Sequence, residues 1–157
     1  MTEQASPNAN AVVEQVRSWN SRAVAGVVEY RGETTIIVPK DMLRETAQFC
    51  RDTLQFNLLS DATCVDRYPV EPRFEMNYQL TSIPKRTRLR LRTTLDGQDP
   101  LVDSLMPVWP GANWLEREVF DLFGIHFEGH TDLKRILLPD DFKGAPLRRD
   151  FPVWGER

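Results

Sequence analysis

The run RTRLRLRTTL, residues 86–95, changes character at every step: Arg86, Arg88, Arg90 and Arg92 fall on one side of an extended chain and Thr87, Leu89, Leu91 and Thr93 on the other. A helix would scatter both sets around its axis, so the run commits the chain to a β-sheet with one apolar and one charged face. The leucine face packs inward. The four guanidinium groups are read first as a solvated face paired with carboxylates on neighbouring strands. Phosphate binding, or docking of an acidic protein partner, are the other readings. With 20 Lys+Arg against 23 Asp+Glu, a formal net charge of −3, bulk electrostatics gives no reason to expect nucleic acid as a partner.

The remaining strands are punctuated by prolines and glycines. AVAGVVEYR and TTIIVPK form a hairpin turning at Gly32 and Glu33. Further strand-like runs cover 56–68 and 73–83, broken by Pro69, Pro72 and Pro84, and Asp96-Gly97 turns the chain after the arginine strand. Val12, Val13, Val16 and Trp19 recur at helical spacing after a polar terminus, residues 1–9, that reads as frayed. Asp41 is placed to cap a second helix carrying Met42, Leu43, Ala47, Phe49, Cys50 and Leu54, with Arg44 and Glu45 on its outer side. Residues 99–110 fit a short helix or an edge strand, and Pro100, Pro107 and Pro110 forbid a long version of either. The expected architecture is α+β: one mixed or antiparallel sheet with flanking helices and an extended C-terminal tail. It forms a single domain over 1–157, with a core over 10–110, a helix and turn over 111–134 and a partner-binding tail over 135–157. No apolar run approaches a membrane span and MTEQASPNAN lacks the pattern of a secretory leader. The chain is therefore expected in the cytoplasm, meeting a membrane only through partners.

Candidate chemistry is sparse. Cys50 and Cys64 are too few and too far apart for a metal knuckle and read as small buried hydrophobes. NWLEREVFDLFG, 113–124, reads as a compact helix: Asn113 caps it in a capping box with Glu116, Gly124 ends it, and Leu115, Val119, Leu122 and Phe123 face inward. Arg117 and Asp121 form an i, i+4 pair. Its carboxylates lack an accompanying nucleophile or metal cluster, so pairing or interface roles outrank catalysis. His126 and His130 are four apart but bracketed by Gly124 and Gly129 with no third histidine, which favours hydrogen bonds to turn backbone over zinc. No phosphate-binding glycine loop or serine elbow is visible. In the tail, Pro139, Pro146 and Pro152 suppress regular structure. Ile136, Leu137, Leu138, Phe142, Leu147, Phe151, Val153 and Trp154 nonetheless need burial, on this domain or on another subunit.

WLEREVFDLFGIHFEGH followed by TDLKRILLPDDFKGAPLRRDFP closely resembles the signature of the C subunit of the proton-pumping NADH-quinone oxidoreductase, respiratory complex I. The resemblance is densest over 114–152 and rests on Glu116, Arg117, Glu118, Asp121, Gly124, His130, Asp132, Leu133, Arg135, Leu138, Pro146, Leu147, Arg148, Asp150, Phe151 and Pro152. Thr131 stands where a proline is usual, and Phe120 where an aromatic with a hydroxyl is common. The resemblance implies a peripheral-arm subunit on the cytoplasmic side of the cell membrane with no catalytic residues and no cofactor of its own. It scaffolds partners whose FMN and iron-sulfur clusters pass electrons from NADH to quinone. Its implied neighbours are the D subunit and the small iron-sulfur subunits, met through Glu118, Asp121, His130, Arg135, Arg148, Arg149, Asp150, Phe151 and Trp154, with the tail ordering on a partner. Alternatives are the equivalent subunit of a ferredoxin-dependent quinone reductase or membrane-bound hydrogenase, a nucleic-acid-binding sheet using Arg86 to Arg92, and a small acid/base enzyme centred on Glu116, Glu118 and His130.

Overall fold

A computed structural model describes residues 7–153, with side chains from residue 10 onward. Five strands form one mixed sheet in the order β1-β2-β5-β4-β3: β1 Gly26–Tyr30, β2 Glu33–Ile37, β3 Leu58–Asp66, β4 Phe74–Ser82 and β5 Thr87–Leu95. Three pairings are antiparallel, and β2 runs parallel to β5, with Ile36 opposite Leu91. The hairpin turns one residue earlier than expected, at Arg31 and Gly32, both with φ near the left-handed region.

Alternation sorts the two faces. Leu89 and Leu91 of β5, Met76, Tyr78 and Leu80 of β4, and Ala62 and Cys64 of β3 point to the buried side. Against them pack α1, Pro7–Trp19, and α2, Leu43–Asp52, which meet through a Trp19–Phe49 stack with ring centroids 4.5 Å apart. Helix α3, Ala112–Phe123, covers the β3 end of the same side. Pro7 suits the first helical position, where its missing N–H leaves nothing unpaired, so ordered helix reaches into the stretch read as frayed. The rest of that stretch, residues 1–6, lies outside the described residues. Asp41 does not cap α2. It sits in a short 3-10 turn, Lys40–Met42, and faces Arg22, because that turn already satisfies the entering backbone. Arg44 turns toward the 99–110 segment, donating to the carbonyls of Ser104 and Glu128.

That segment contains a strand, β6 Leu101–Asp103, which pairs in parallel with β7 His126–Glu128 in a separate two-stranded ribbon flanking α3. Arg86 is not part of the arginine ladder. It occupies the turn before β5 with φ of 52°, so Arg88, Arg90 and Arg92 carry the outer face.

Candidate functional site

The resemblance concentrates on α3 and the residues after it, where the sequence expected a capping box and a surface ion pair. The structure replaces both. Helix α3 starts at Ala112 with Gly111 as its cap, and Asn113 makes no capping bond. Glu116 is fully buried on the inner side of α3. It accepts from the Ser104 hydroxyl and the Leu105 N–H, each at 2.6 Å, so it ties the helix to the segment after β6. Burial outweighs those two donors and the charge of Arg44, raising the Glu116 carboxyl to about 7. His130 lies beside it, Nε2 to Oε2 at 3.9 Å, while its Nδ1 accepts from the Asp132 N–H at 3.0 Å and fixes the turn, as the sequence suggested for this ring. His126 instead sits exposed on β7, edge-on to Phe120.

Arg117 and Asp121 do not pair with each other, because both are buried and each is claimed by the chain that follows. Arg117 lies over the Trp114 ring and donates to the carbonyls of Lys134 and Arg135, both at 3.1 Å. Asp121 Oδ2 accepts three consecutive backbone amides, Ile136, Leu137 and Leu138, at 2.7–3.1 Å, and Oδ1 accepts from Arg135 at 2.7 Å. Desolvation alone would raise this carboxyl; the amides and the guanidinium overcome it and hold it below the usual aspartate range. Arg135 then reaches onward to the carbonyls of Phe142 and Gly144.

Among the described residues the tail has no regular element. Turns at Phe142, Arg148 and Phe151 draw it in, and side chains from distant strands fasten it. Arg148 donates to the Phe123 carbonyl at 2.6 Å and reaches that of Gly124, which places a cation at the C-terminus of α3. Gly124 ends the helix with φ of 71°, and a side chain there would meet that guanidinium at 3.0 Å. Arg73 grips Asp66 through two 2.8 Å bonds and Asp150 through bonds of 2.6 and 3.1 Å, packed between the rings of Tyr68 and Phe74. Asp66 also takes the Arg149 N–H at 2.8 Å. Burial would raise this carboxyl too, but the Arg73 guanidinium and the amides pull it down to about 2. Phe142 stacks on Phe151.

The described part of the tail, 135–153, therefore makes these contacts on its own chain, whereas the sequence reading had the tail ordering on a partner, with packing on its own domain as the alternative. Buried carboxylates receive its backbone amides, so it needs no periodic pattern. Of the residues assigned to an interface, Asp121, Arg135, Arg148, Asp150 and Phe151 are engaged within the chain. Glu118 is exposed on α3, Arg149 holds the chain only through its backbone, and Trp154 lies outside the described residues. Sequence reasoning missed Arg73, Asp66 and Ser104. Asp66 left one signal: it falls at an inward position of β3 after Ala62 and Cys64, and a carboxylate there demands a buried cation.

A cavity of about 470 Å³ lies between α3 and the tail, lined by Phe120, Asp121, Arg135, Arg148 and Phe151 among others. Its charged groups are saturated by protein partners, a chemistry suited to holding a shape. Among the described residues, no group of three or more His, Cys, Asp or Glu side chains is arranged to hold a metal, and no helix is long and apolar enough to cross a membrane. Both thiols are buried, and desolvation pushes each up to about 12.

The family model described as "Respiratory-chain NADH dehydrogenase, 30 Kd subunit" matches residues 36–157. The chain is 42% identical over 147 residues to the C subunit of the NADH-quinone oxidoreductase from Geobacter sulfurreducens, covering 93% of this chain and 91% of that protein. Among solved structures it is similar to a trypsin-resistant fragment of Nqo5, with a TM-score of 0.69 and 31% identity over 79% of this chain and 98% of the fragment. It is also similar to a chain of the membrane-bound sulfane sulfur reductase, an archaeal respiratory membrane complex, with a TM-score of 0.80 and 25% identity over 93% and 86% of the two chains.

Proposed function

The chain belongs to the family of the 30 Kd subunit of respiratory-chain NADH dehydrogenase, and we propose that it acts there as a scaffold without catalytic residues or cofactor. In this reading it sits in the peripheral arm of the NADH:quinone oxidoreductase, on the cytoplasmic side of the membrane. The D subunit and the small iron-sulfur subunits are its neighbours, and partner subunits carry the FMN and iron-sulfur clusters.

One observation carries the reading: latching the tail leaves large apolar side chains facing outward on and beside α3. Trp114 is 59% exposed, Leu137 61%, Leu147 52% and Val153 89%, in a region where Asp121, Arg135 and Arg148 fix the backbone rigidly. Glu118 lies one helical turn after Trp114 on the same exposed side. Exposed aromatic and aliphatic side chains on a fixed backbone are what a protein interface needs and a solitary enzyme does not.

Replacing Trp114 and Leu137 together by Ser should lower the melting of the isolated chain only slightly, since both are exposed and Trp114 gives up only its contact with Arg117. Recovery of the chain with the complex should fall at least tenfold, as expected when an interface loses a buried aromatic anchor of about 2 kcal/mol. Full recovery of the double variant would defeat the reading. A second reading, the equivalent subunit of a complex with another electron donor such as ferredoxin, is supported by the likeness to the archaeal respiratory complex. Comparing NADH and reduced ferredoxin as donors to the purified complex separates the two.

A further inference from the structure

The outer face of the sheet, which carries Arg88, Arg90 and Arg92 of β5, takes no part in the tail latch, and Val12 of α1 is among the residues lining its groove. Its positive charge is uneven. At one end Arg92 and Arg67 share the carboxylate of Glu75, and Arg92 also donates to Asn77 at 3.0 Å. In the middle Arg90 is held by Glu33. At the other end Arg88 is exposed, and no carboxylate lies within salt-bridge distance of it among the described residues. Its cross-strand neighbour is Thr81, whose hydroxyl is already bonded to that of Ser60 at 2.6 Å. Arg86, in the turn just before β5, is likewise exposed. A cavity of about 640 Å³ opens there, with Arg86, Arg88, Arg90, Gln79, Ser60 and Thr81 among its walls.

We infer that this groove is a second docking site, which takes an acidic segment of another subunit and places partner carboxylates against Arg88 and Arg86. The inference rests on reading the chain as an assembled subunit, and it concerns a face separate from α3 and the tail. Charge complementarity selects the occupant. Five guanidinium groups, Arg67, Arg86, Arg88, Arg90 and Arg92, meet three carboxylates, Glu33, Asp61 and Glu75, on or around this face, in a chain whose formal net charge is −3. The surplus is small and local, and Glu33 and Asp61 line the same groove, so a continuous phosphate backbone would be repelled where separate carboxylates are accepted. Arginine gives such carboxylates a planar, two-pronged donor. Arg88, exposed and without a carboxylate within salt-bridge distance among the described residues, is free for such a contact, since the leucines of the same strand supply the core.

The test uses the full-length chain in the purified complex. A photo-crosslinking residue at Ser60 is expected to capture a peptide of another subunit rich in Asp and Glu. Capture of residues 1–6 or 154–157 of this chain, of a second copy or of nucleic acid would overturn the inference, as would no capture. In parallel, Arg88→Glu should weaken retention of the chain in a salt series roughly tenfold, the scale of one lost charge-assisted hydrogen bond. Arg88→Lys should lose much less, and melting of the isolated chain should not change. Retention of Arg88→Glu equal to wild type overturns the inference. Wild-type chain that never enters the complex would instead defeat the scaffold reading itself.

Discussion

Glu116 shows how a single carboxyl can be read correctly as important and wrongly in its role. Its spacing from Asn113 spelled a capping box, but the cap lies two residues earlier, at Gly111, and Glu116 turns into the interior, where it bridges to Ser104 and Leu105. Its folded value of about 7 lies above the 4.5 of the unfolded chain. Between those values the native form keeps a proton that the unfolded chain has released, so stability falls as pH rises through this window, by up to about 3 kcal/mol, and levels off above it. Glu116→Gln should remove that part of the slope, as followed by urea unfolding at a series of pH values; a slope that persists in the variant would have to come from another group. Arg73 was illegible for a different reason. Its partner Asp150 lies 77 positions away, and nothing in the local pattern EPRFE distinguishes a buried guanidinium from a surface one.

At the scale of elements, the strands were legible because alternation survives any context, and the arginine strand runs at 87–95 much as its pattern dictated. Helix α3 was legible from its stripe and from Gly124, whereas its start and the parallel strand in 99–110 were not, because both depend on tertiary partners. The tail is the element whose behaviour changed most between sequence and structure. Truncation after Pro139 should still leave a folded chain, since the core cluster lies between Val13 and Phe127. It removes the Asp150 grip on Arg73 and the Arg148 cap on α3, so stability should drop by about 1–3 kcal/mol, the value of charged hydrogen bonds less the entropy of ordering the tail. Unfolding curves check this, and an unchanged midpoint would show the latch to be energetically idle. Hydrogen exchange should also quicken in the last turn of α3.

For the whole molecule, composition and spacing lead to an expectation about cofactors, since the two thiols are buried and the two histidines stand on separate elements. The isolated chain should show no visible absorbance and no stoichiometric iron, and metal analysis of a purified sample decides it. Membership of a complex was legible only because the motif around α3 resembles a known subunit; the outer sheet face and the exposed apolar side chains beside α3 needed coordinates. The latch between Arg73 and Asp150 also has a consequence in time. A ribosome delivers the sheet first and the tail last, and at roughly 5–20 residues per second the interval from Arg73 to Asp150 takes about 4–15 s. During that interval Arg73 has Asp66 alone and the end of α3 lacks its cation. A partner arriving early would meet an unlatched surface, so the emergence of Asp150 is the step that completes the surface for assembly.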